Sequence, residues 1–343
     1  MPDPLPLSAN LLVFVAAAAA VWFAAVRLTR CADAIATVTG LSQEILGLLL
    51  LGAVTSLPEL AVAVTATLQG SPALTIGDLL GSAALNVVLL ALADATVRSR
   101  PLTSIQGSPK VMLVGVLGIV MMAVIVAPAI TGDVLVLGIG GWSWAMLLVY
   151  AAAVWIMSHS QAEAAWQPLR RDAAVPEEGR AAALLQPGLA PLLWRAAAAA
   201  AVILVAGFLL ARTGDALARQ TGLGSTFFGM VFLACATSLP EASTVFAAVR
   251  LKRYAMAISD VLGTNLFNAT IIVLVDALHP GPPVLLQAGR GASFGALLAL
   301  LLTALFLIGL IERRDRTFAG LGIDSLFALL TYGTGLVVLY ALA

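Results

Sequence analysis

The chain has 343 residues, 61% of them hydrophobic and 10% charged, and its mean hydropathy is strongly positive. Soluble domains carry about 25% charged residues, so a soluble globular protein is excluded and a polytopic membrane protein is expected. Eighteen basic residues balance eighteen acidic ones, so net charge points to no partner such as nucleic acid, and the distribution of charge is the informative quantity.

An apolar run of about 20 residues is long enough to cross a hydrocarbon core of about 30 Å. Ten such runs are predicted as helices, at 8–29, 41–68, 73–96, 110–131, 134–157, 190–211, 222–249, 255–278, 291–311 and 322–342, which makes the fold all-α. The first has no cleavage-site pattern and no basic region before it, so it is expected to stay as a span. Arg27 and Arg30 follow the first run, Arg98, Arg100 and Lys110 the third, and Arg170, Arg171 and Arg180 the fifth. Arg250, Lys252 and Arg253 follow the seventh, Arg313, Arg314 and Arg316 the ninth, and Arg195 begins the sixth on the same side. The opposite side holds only Arg212, Arg219 and Arg290. By the positive-inside rule both termini are expected outside, in a plasma or inner membrane.

The longest link, 158–189, contains Gln, Glu, Arg and Pro and reads as a solvated cytoplasmic linker between 1–157 and 190–343. His159 and His279 fall in links, where solvated side chains are expected. Cys31 lies at a cytoplasmic helix end and Cys235 inside the seventh run, with no disulfide or metal-site spacing. No cofactor is expected, and the chain reads as a monomer in the bilayer.

Sliding the sequence against itself by 182 residues aligns 47–95 with 229–277 without a gap, with seventeen of 49 positions identical. The identities include TSLPE at 55–59 and 237–241, Asp78 with Asp260, Gly81 with Gly263, Asn86 with Asn268, and Asp94 with Asp276. Shared hydrophobicity does not align rare polar letters, so this is a true internal repeat. With five spans in each half, an odd number, the second half enters the membrane from the opposite side. Inverted repeats with polar and helix-breaking residues in corresponding places point to a secondary transporter with its site at mid-membrane.

Pro58 and Pro240 have no N–H to donate, leaving the carbonyls of Val54 and Ala236 without helical partners. In hydrocarbon such a break persists only where protein, water or an ion completes the bonding. Glu59 and Glu241 fall near the centres of their spans, where a charge costs about 2.5–3.5 kcal/mol and intramembrane acids mark ion or proton pathways. An empty pair should prefer protons; an occupied one holds two negative charges against the ion. Asp78, Ser82 and Asn86 recur every four residues on one stripe of the third span, as do Asp260, Thr264 and Asn268 on the eighth. These are hard oxygen donors with no Cys or His among them, which suits Ca²⁺ or Na⁺ rather than zinc or copper. Gly81 and Gly263 read as close-packing positions, and Asp94 and Asp276 as solvated or capping groups near helix ends.

The paired TSLPE segments, each followed by G-S/T-x-x-x-N (GSAALN at 81–86, GTNLFN at 263–268), resemble the α-repeats of the sodium/calcium exchangers of the cation/calcium antiporter superfamily. The resemblance covers about 49 residues in each half in detail. It implies a central Ca²⁺ site made by Glu59, Glu241 and the carbonyls of Thr55 and Thr237. It further implies flanking Na⁺ sites using Ser56, Ser238, Ser82, Thr264 and the backbone carbonyls of Gly52 and Ala234, with Asn86 and Asn268 at the remaining ligand positions. It also implies that the first and sixth spans slide across the other eight. The chain departs from the family pattern at Val54 and Ala236, where glycine is usual, at Ala83, where asparagine is usual, and at Asn268, where many relatives place an acid. Central negative charge is therefore assigned to Glu59 and Glu241 alone.

The leading expectation is a Na⁺/Ca²⁺ antiporter working by alternating access. The nearest rival is a Ca²⁺/H⁺ or other cation/H⁺ exchanger on the same fold. An intramembrane enzyme using the two glutamates as acid and base lacks a nucleophile or a metal triad.

Overall fold

The computed structural model describes residues 5–39, 55–97, 101–105, 109–159, 188–287, 289–312, 317–318 and 321–342. The fold is mostly helical. Its main helices are α1 (Leu7–Thr39), α2 (Leu57–Leu68), α3 (Pro72–Asp94), α4 (Pro109–Val126), α5 (Gly141–His159) and α6 (Leu189–Thr221). There follow a bent pair, α7a (Ser225–Thr237) and α7b (Leu239–Arg250), then α8 (Tyr254–Leu278), α9 (Gly289–Glu312) and α10 (Ile323–Leu342). Among the described residues seven helices are long and apolar enough to cross a membrane, or eight if the bent pair is one span. The remaining apolar helices, α2 and α5, are shorter. Residues 40–54, expected to complete the span that contains α2, lie outside the described residues, as do 160–187 of the expected linker.

Helix bounds in the first half return 182 residues later. Leu7–Thr39 recurs as Leu189–Thr221, Leu57–Leu68 as Leu239–Arg250, and the α3 start at Pro72 as Tyr254. Two small antiparallel hairpins keep the same offset: β1 (Leu135–Val136) with β2 (Ile139–Gly140), and β3 (Thr317–Phe318) with β4 (Leu321–Gly322). Two sequence expectations are corrected. The run predicted as helical from 134 turns helical only at Gly141, because Gly138 takes φ +81° and Leu137 φ 55° to fold the chain back. The first and sixth helices are longer than predicted. Residues after 211 contain Arg212, Asp215 and Arg219, whose polarity ends the apolar run, yet α6 continues to Thr221 and stops at Gly222 in the left-handed region (φ 71°), a common helix terminator.

Apolar surface faces outward and polar surface inward, the reverse of a soluble protein. Phe23, Trp194, Val205, Leu330 and Val337 are exposed, whereas α3 buries twenty residues, including Thr75, Asp78, Ser82, Asn86 and Asp94. The large core is built by α3, α4, α5, α8, α9 and α10 with parts of α2 and α7, and among the described residues none of α1 or α6 belongs to it. Those two helices pack on each other through Ala24, Ala25, Leu28, Ala199 and Ile203. They meet the rest through a second cluster that includes Phe14, Val62, Leu210, Phe228 and Leu233.

Asp94 and Asp276 are buried caps rather than solvated groups. Asp276 accepts the N–H of Gly140 at 2.6 Å, the Ser143 hydroxyl at 2.8 Å and the N–H of Val284 at 2.8 Å. Asp94 likewise accepts the N–H groups of Leu102 and Gly322. Each carboxylate thus ties the end of its helix to one hairpin, α8 to β2 and α3 to β4. The capping half of the expectation holds because hairpin backbone, not water, surrounds these acids.

Candidate cation site

The two TSLPE segments start a helix at the same place, just after the serine. Ser56 (φ −78°, ψ 4°) precedes α2 and Ser238 (φ −81°, ψ 8°) precedes α7b. Pro58 and Pro240 then fall in the first turn of the new helix, where a missing N–H costs nothing. The bend between α7a and α7b is 48°. Just before it, Gly229–Leu233 winds as a π-helix, a local widening found mostly at functional sites. The π turn is where α3 comes closest: a Cβ on Gly81 would stand 2.5 Å from the Met230 Cα, and one on Gly229 3.1 Å from the Gly77 Cα. Gly81 is thus the close-packing residue expected, and it sets Ser82 against the second repeat.

The side chains singled out in the sequence meet in the interior. Glu59, Glu241, Thr55, Thr237, Ser56, Ser238, Ser82, Thr264, Asn86, Asn268 and Ala234 are each at most 1% exposed. Gly52 lies outside the described residues. The repeats interlock across the site: Ser82 Oγ lies 3.4 Å from Thr237 Oγ1, and Asn86 donates its amide to Asn265 Oδ1 at 2.9 Å. Glu59 is within electrostatic reach of Glu241 and Asp78, with Thr237 beside it. Glu241 in turn feels Asp260 and Asp78, with Thr55 beside it.

Many of these buried polar atoms have no hydrogen-bond partner in the protein. They are both oxygens of Glu59 and of Glu241, the hydroxyls of Ser56, Ser238 and Thr264, Oδ1 of Asn86, and both amide atoms of Asn268. Buried polar groups are ordinarily paired, and an unpartnered buried carboxylate is among the costliest groups to keep in a low-dielectric interior. Nine buried oxygens left open in this way suit desolvated hard cations. The Ala234 carbonyl accepts the Ser238 N–H at 2.9 Å and lies 3.4 Å from the Thr237 hydroxyl.

The assignment of central charge to Glu59 and Glu241 alone is corrected by the structure. Asp78 and Asp260 are buried beside them, at 0% and 2% exposure. Thr237 donates its hydroxyl to Asp78 Oδ1 at 2.9 Å and Thr244 to Asp260 Oδ2 at 2.7 Å, while Asp78 Oδ2 and Asp260 Oδ1 have no partner. Their place on the stripes with Ser82 and Thr264, and their coincidence in the repeat, were the available signals. Asn265 is a further residue missing from the site expected from the sequence. Its amide donates to the Ala83 carbonyl at 2.9 Å while its oxygen holds the Asn86 amide, and Asn86 Oδ1 is left without a partner. The repeat counterpart of Asn265 is Ala83, and Asn268, correspondingly, has no such support. Among the described residues no three His, Cys, Asp or Glu side chains converge on one point. Cys31 and Cys235 are free thiols.

A multi-pass helical membrane protein with a buried, oxygen-lined and acidic centre shared by two repeats is of the cation-transporter class. The chain matches the sodium/calcium exchanger protein family over residues 9–159 and 191–342 and belongs to that family. It is 27% identical to the inner membrane protein YrbG of Escherichia coli over 257 residues, 75% of each chain. It is also 27% identical over 318 residues to CaxA of Alkalimonas amylolytica, which carries the name of an antiporter, covering 90% of this chain and 93% of that one. The fold is similar to that of native YfkE, with a TM-score of 0.64 at 15% identity over 97% of this chain and 93% of the other. The sodium-calcium exchanger NCX_Mj gives 0.61 at 15% over 97% and 99%, and the H⁺/Ca²⁺ exchanger CAX 0.57 at 15% over 97% and 88%. The family is one of exchangers rather than enzymes.

Proposed function

We propose that this protein is a secondary antiporter that exchanges Na⁺ for Ca²⁺ at a site shared by Glu59 and Glu241. The observation that carries the reading is the set of buried, unpartnered oxygens supplied in matching positions by both repeats. In it, Glu59, Glu241 and the carbonyls of Thr55 and Thr237 hold Ca²⁺. Ser56, Ser238, Ser82, Thr264 and the carbonyls of Gly52 and Ala234 serve Na⁺ on either side, with Asn86 and Asn268 completing the ring. Na⁺ and Ca²⁺ compete for these oxygens. Inward movement of Na⁺ releases about 2.3 kcal/mol per charge for each 100 mV of membrane potential, and that work expels Ca²⁺.

The chain is read as ten spans in two inverted five-helix repeats, 1–157 and 190–343, joined by the linker 158–189. Both termini lie outside a plasma or inner membrane. The bent pair counts as one span, α5 as another, and α2 as the second half of a third. The separate packing of α1 and α6, which share no residue with the large core, supports their sliding as a unit across the other eight spans.

Proton coupling is the second reading. What favours it is the count of buried acids: Glu59, Glu241, Asp78 and Asp260 carry twice the charge that one divalent ion neutralises. Purified protein in sealed vesicles, assayed for ⁴⁵Ca uptake under an imposed Na⁺, K⁺ or pH gradient in turn, decides between them. Uptake driven by the Na⁺ gradient at fixed pH is the expected result. Uptake that follows the pH gradient and ignores Na⁺ replaces Na⁺ coupling with H⁺ coupling.

A further inference from the structure

Glu59 and Glu241 account for only half of the carboxylates buried at the centre. Asp78 and Asp260 supply the rest, and no lysine or arginine is buried among the described residues to offset them. Each aspartate is fixed by one hydroxyl and leaves one oxygen open. The hydroxyls are not repeat equivalents. Thr244, which holds Asp260, corresponds to Val62 in the first repeat, and Asp78 is held instead by Thr237 of the opposite repeat.

Glu59 is within electrostatic reach of Glu241 and Asp78, and Glu241 of Asp260 and Asp78, yet among the described residues no three of these acids come together closely enough to hold one ion. Asp78 stands one turn before Ser82 on α3, and Ser82 Oγ is 3.4 Å from the Thr237 hydroxyl that Asp78 accepts. Asp260 stands one turn before Thr264 on α8, whose hydroxyl has no partner in the protein. With inverted repeats α3 and α8 enter from opposite faces, so the aspartates lie on opposite sides of the glutamates. On the orientation proposed above, Asp78 is on the outer side and Asp260 on the cytoplasmic side.

We propose that Asp78 and Asp260 are the anionic ligands of two cation subsites, one on each side of the glutamate pair, each taking a hard monovalent cation from its own face. The outer subsite adds the hydroxyls of Thr237 and Ser82, and the cytoplasmic one that of Thr264. The glutamate pair supplies the two charges that balance a divalent ion, and in the exchanged state each aspartate supplies the one charge that balances a monovalent ion at its own subsite. The assignment rests on the antiporter reading and gives each flanking position a fixed charge of its own.

The test uses Asp78→Asn and Asp260→Asn, because asparagine keeps an oxygen to accept the threonine hydroxyl while the charge is lost. Na⁺-coupled ⁴⁵Ca flux is measured in right-side-out and everted membrane vesicles of an expressing host, varying Na⁺ on one face at a time. Asp78→Asn is expected to raise half-saturating Na⁺ about tenfold on the outer face and little on the other, and Asp260→Asn the reverse, as expected when a site loses ligand charge. Equal weakening on both faces, or no weakening in either variant, overturns the assignment. Asp78→Glu and Asp260→Glu, which restore the charge, are expected to recover most of the lost affinity; folded variants that do not recover it count against the proposal. A second measurement needs no transport: ²²Na equilibrium binding to purified protein is expected to fall by two ions per chain in the double asparagine variant, and unchanged capacity refutes the subsites. Wild-type protein that binds ²²Na but shows no coupled flux defeats the antiporter reading and leaves the binding result to decide this one.

Discussion

Replacing Gly81 by alanine perturbs the closest approach of main chains at the site. The added methyl carbon would stand 2.3 Å from the Met230 carbonyl oxygen, 2.5 Å from its Cα and 2.7 Å from its carbonyl carbon. Ordinary contact begins near about 3.5 Å, so α3 and the π turn must separate by about 1 Å. The obstructing atoms are backbone, with no rotamer to give way. Overpacking of this kind costs about 1–3 kcal/mol, and the upper end is expected here. Ser82, the next residue, reaches Thr237 at 3.4 Å, so the same displacement parts the two repeats at the proposed cation site. Two assays read the effect: thermal unfolding of detergent-purified protein and the Ca²⁺ dependence of ⁴⁵Ca uptake. Gly81→Ala is expected to lower the unfolding midpoint and raise half-saturating Ca²⁺ by about tenfold, equivalent to about 1.4 kcal/mol. Two controls calibrate it. A Cβ at Gly118 meets nothing within 4 Å, so Gly118→Ala is expected to be neutral or to gain up to about 1 kcal/mol of helix propensity. The nearest atoms to a Cβ at Gly335 belong to the side chain of Leu298, at 2.6 Å, which can rotate away at smaller cost. Gly81→Ala protein as stable and as avid as Gly118→Ala protein refutes the close-packing argument.

Asp276→Ala removes the acceptor for Gly140, Ser143 and Val284, at about 1–3 kcal/mol for each donor left buried and unpaired. It is expected to lower the thermal midpoint and leave half-saturating Ca²⁺ unchanged; a shifted Ca²⁺ affinity in folded protein would place Asp276 in the transport path instead. Asn265→Ala frees the Asn86 amide and removes the bond to Ala83. It is expected to weaken Ca²⁺ uptake at low Ca²⁺ while Asn265→Gln recovers little, because the longer amide cannot keep both contacts; wild-type Ca²⁺ dependence in Asn265→Ala would show that Asn86 needs no support.

The sequence revealed the repeat because polar letters are scarce in an apolar chain, so TSLPE, Asp78 with Asp260 and Asn86 with Asn268 stand out at one offset. The helix breaks were legible for a local reason, the missing N–H of Pro58 and Pro240. The hairpin at Leu135–Gly140 was not, since its leucines, valine and isoleucine are as apolar as any span, and hydropathy does not distinguish a fold-back from a helix. The central charge was undercounted because position on a helix face does not say which helix lies opposite. Asp78 becomes part of the site through Thr237, 159 residues away in the chain, and Asn86 is oriented by Asn265 at a separation of 179. Such pairings depend on the angle and depth at which repeats pack, information that no local pattern holds. The π turn at Gly229–Leu233 belongs to the same class, since it lies against Gly77 and Gly81 of α3, far off in the chain.

Equilibrium binding of ⁴⁵Ca to the purified protein, compared with Glu59→Gln and Glu241→Gln, addresses the shared glutamate site most directly. Wild-type protein is expected to bind saturably, and each single substitution to weaken binding by about two orders of magnitude or more, because half of a buried charge pair is then missing. Wild-type affinity retained in either variant, with the other abolishing it, contradicts a site held jointly by the two repeats.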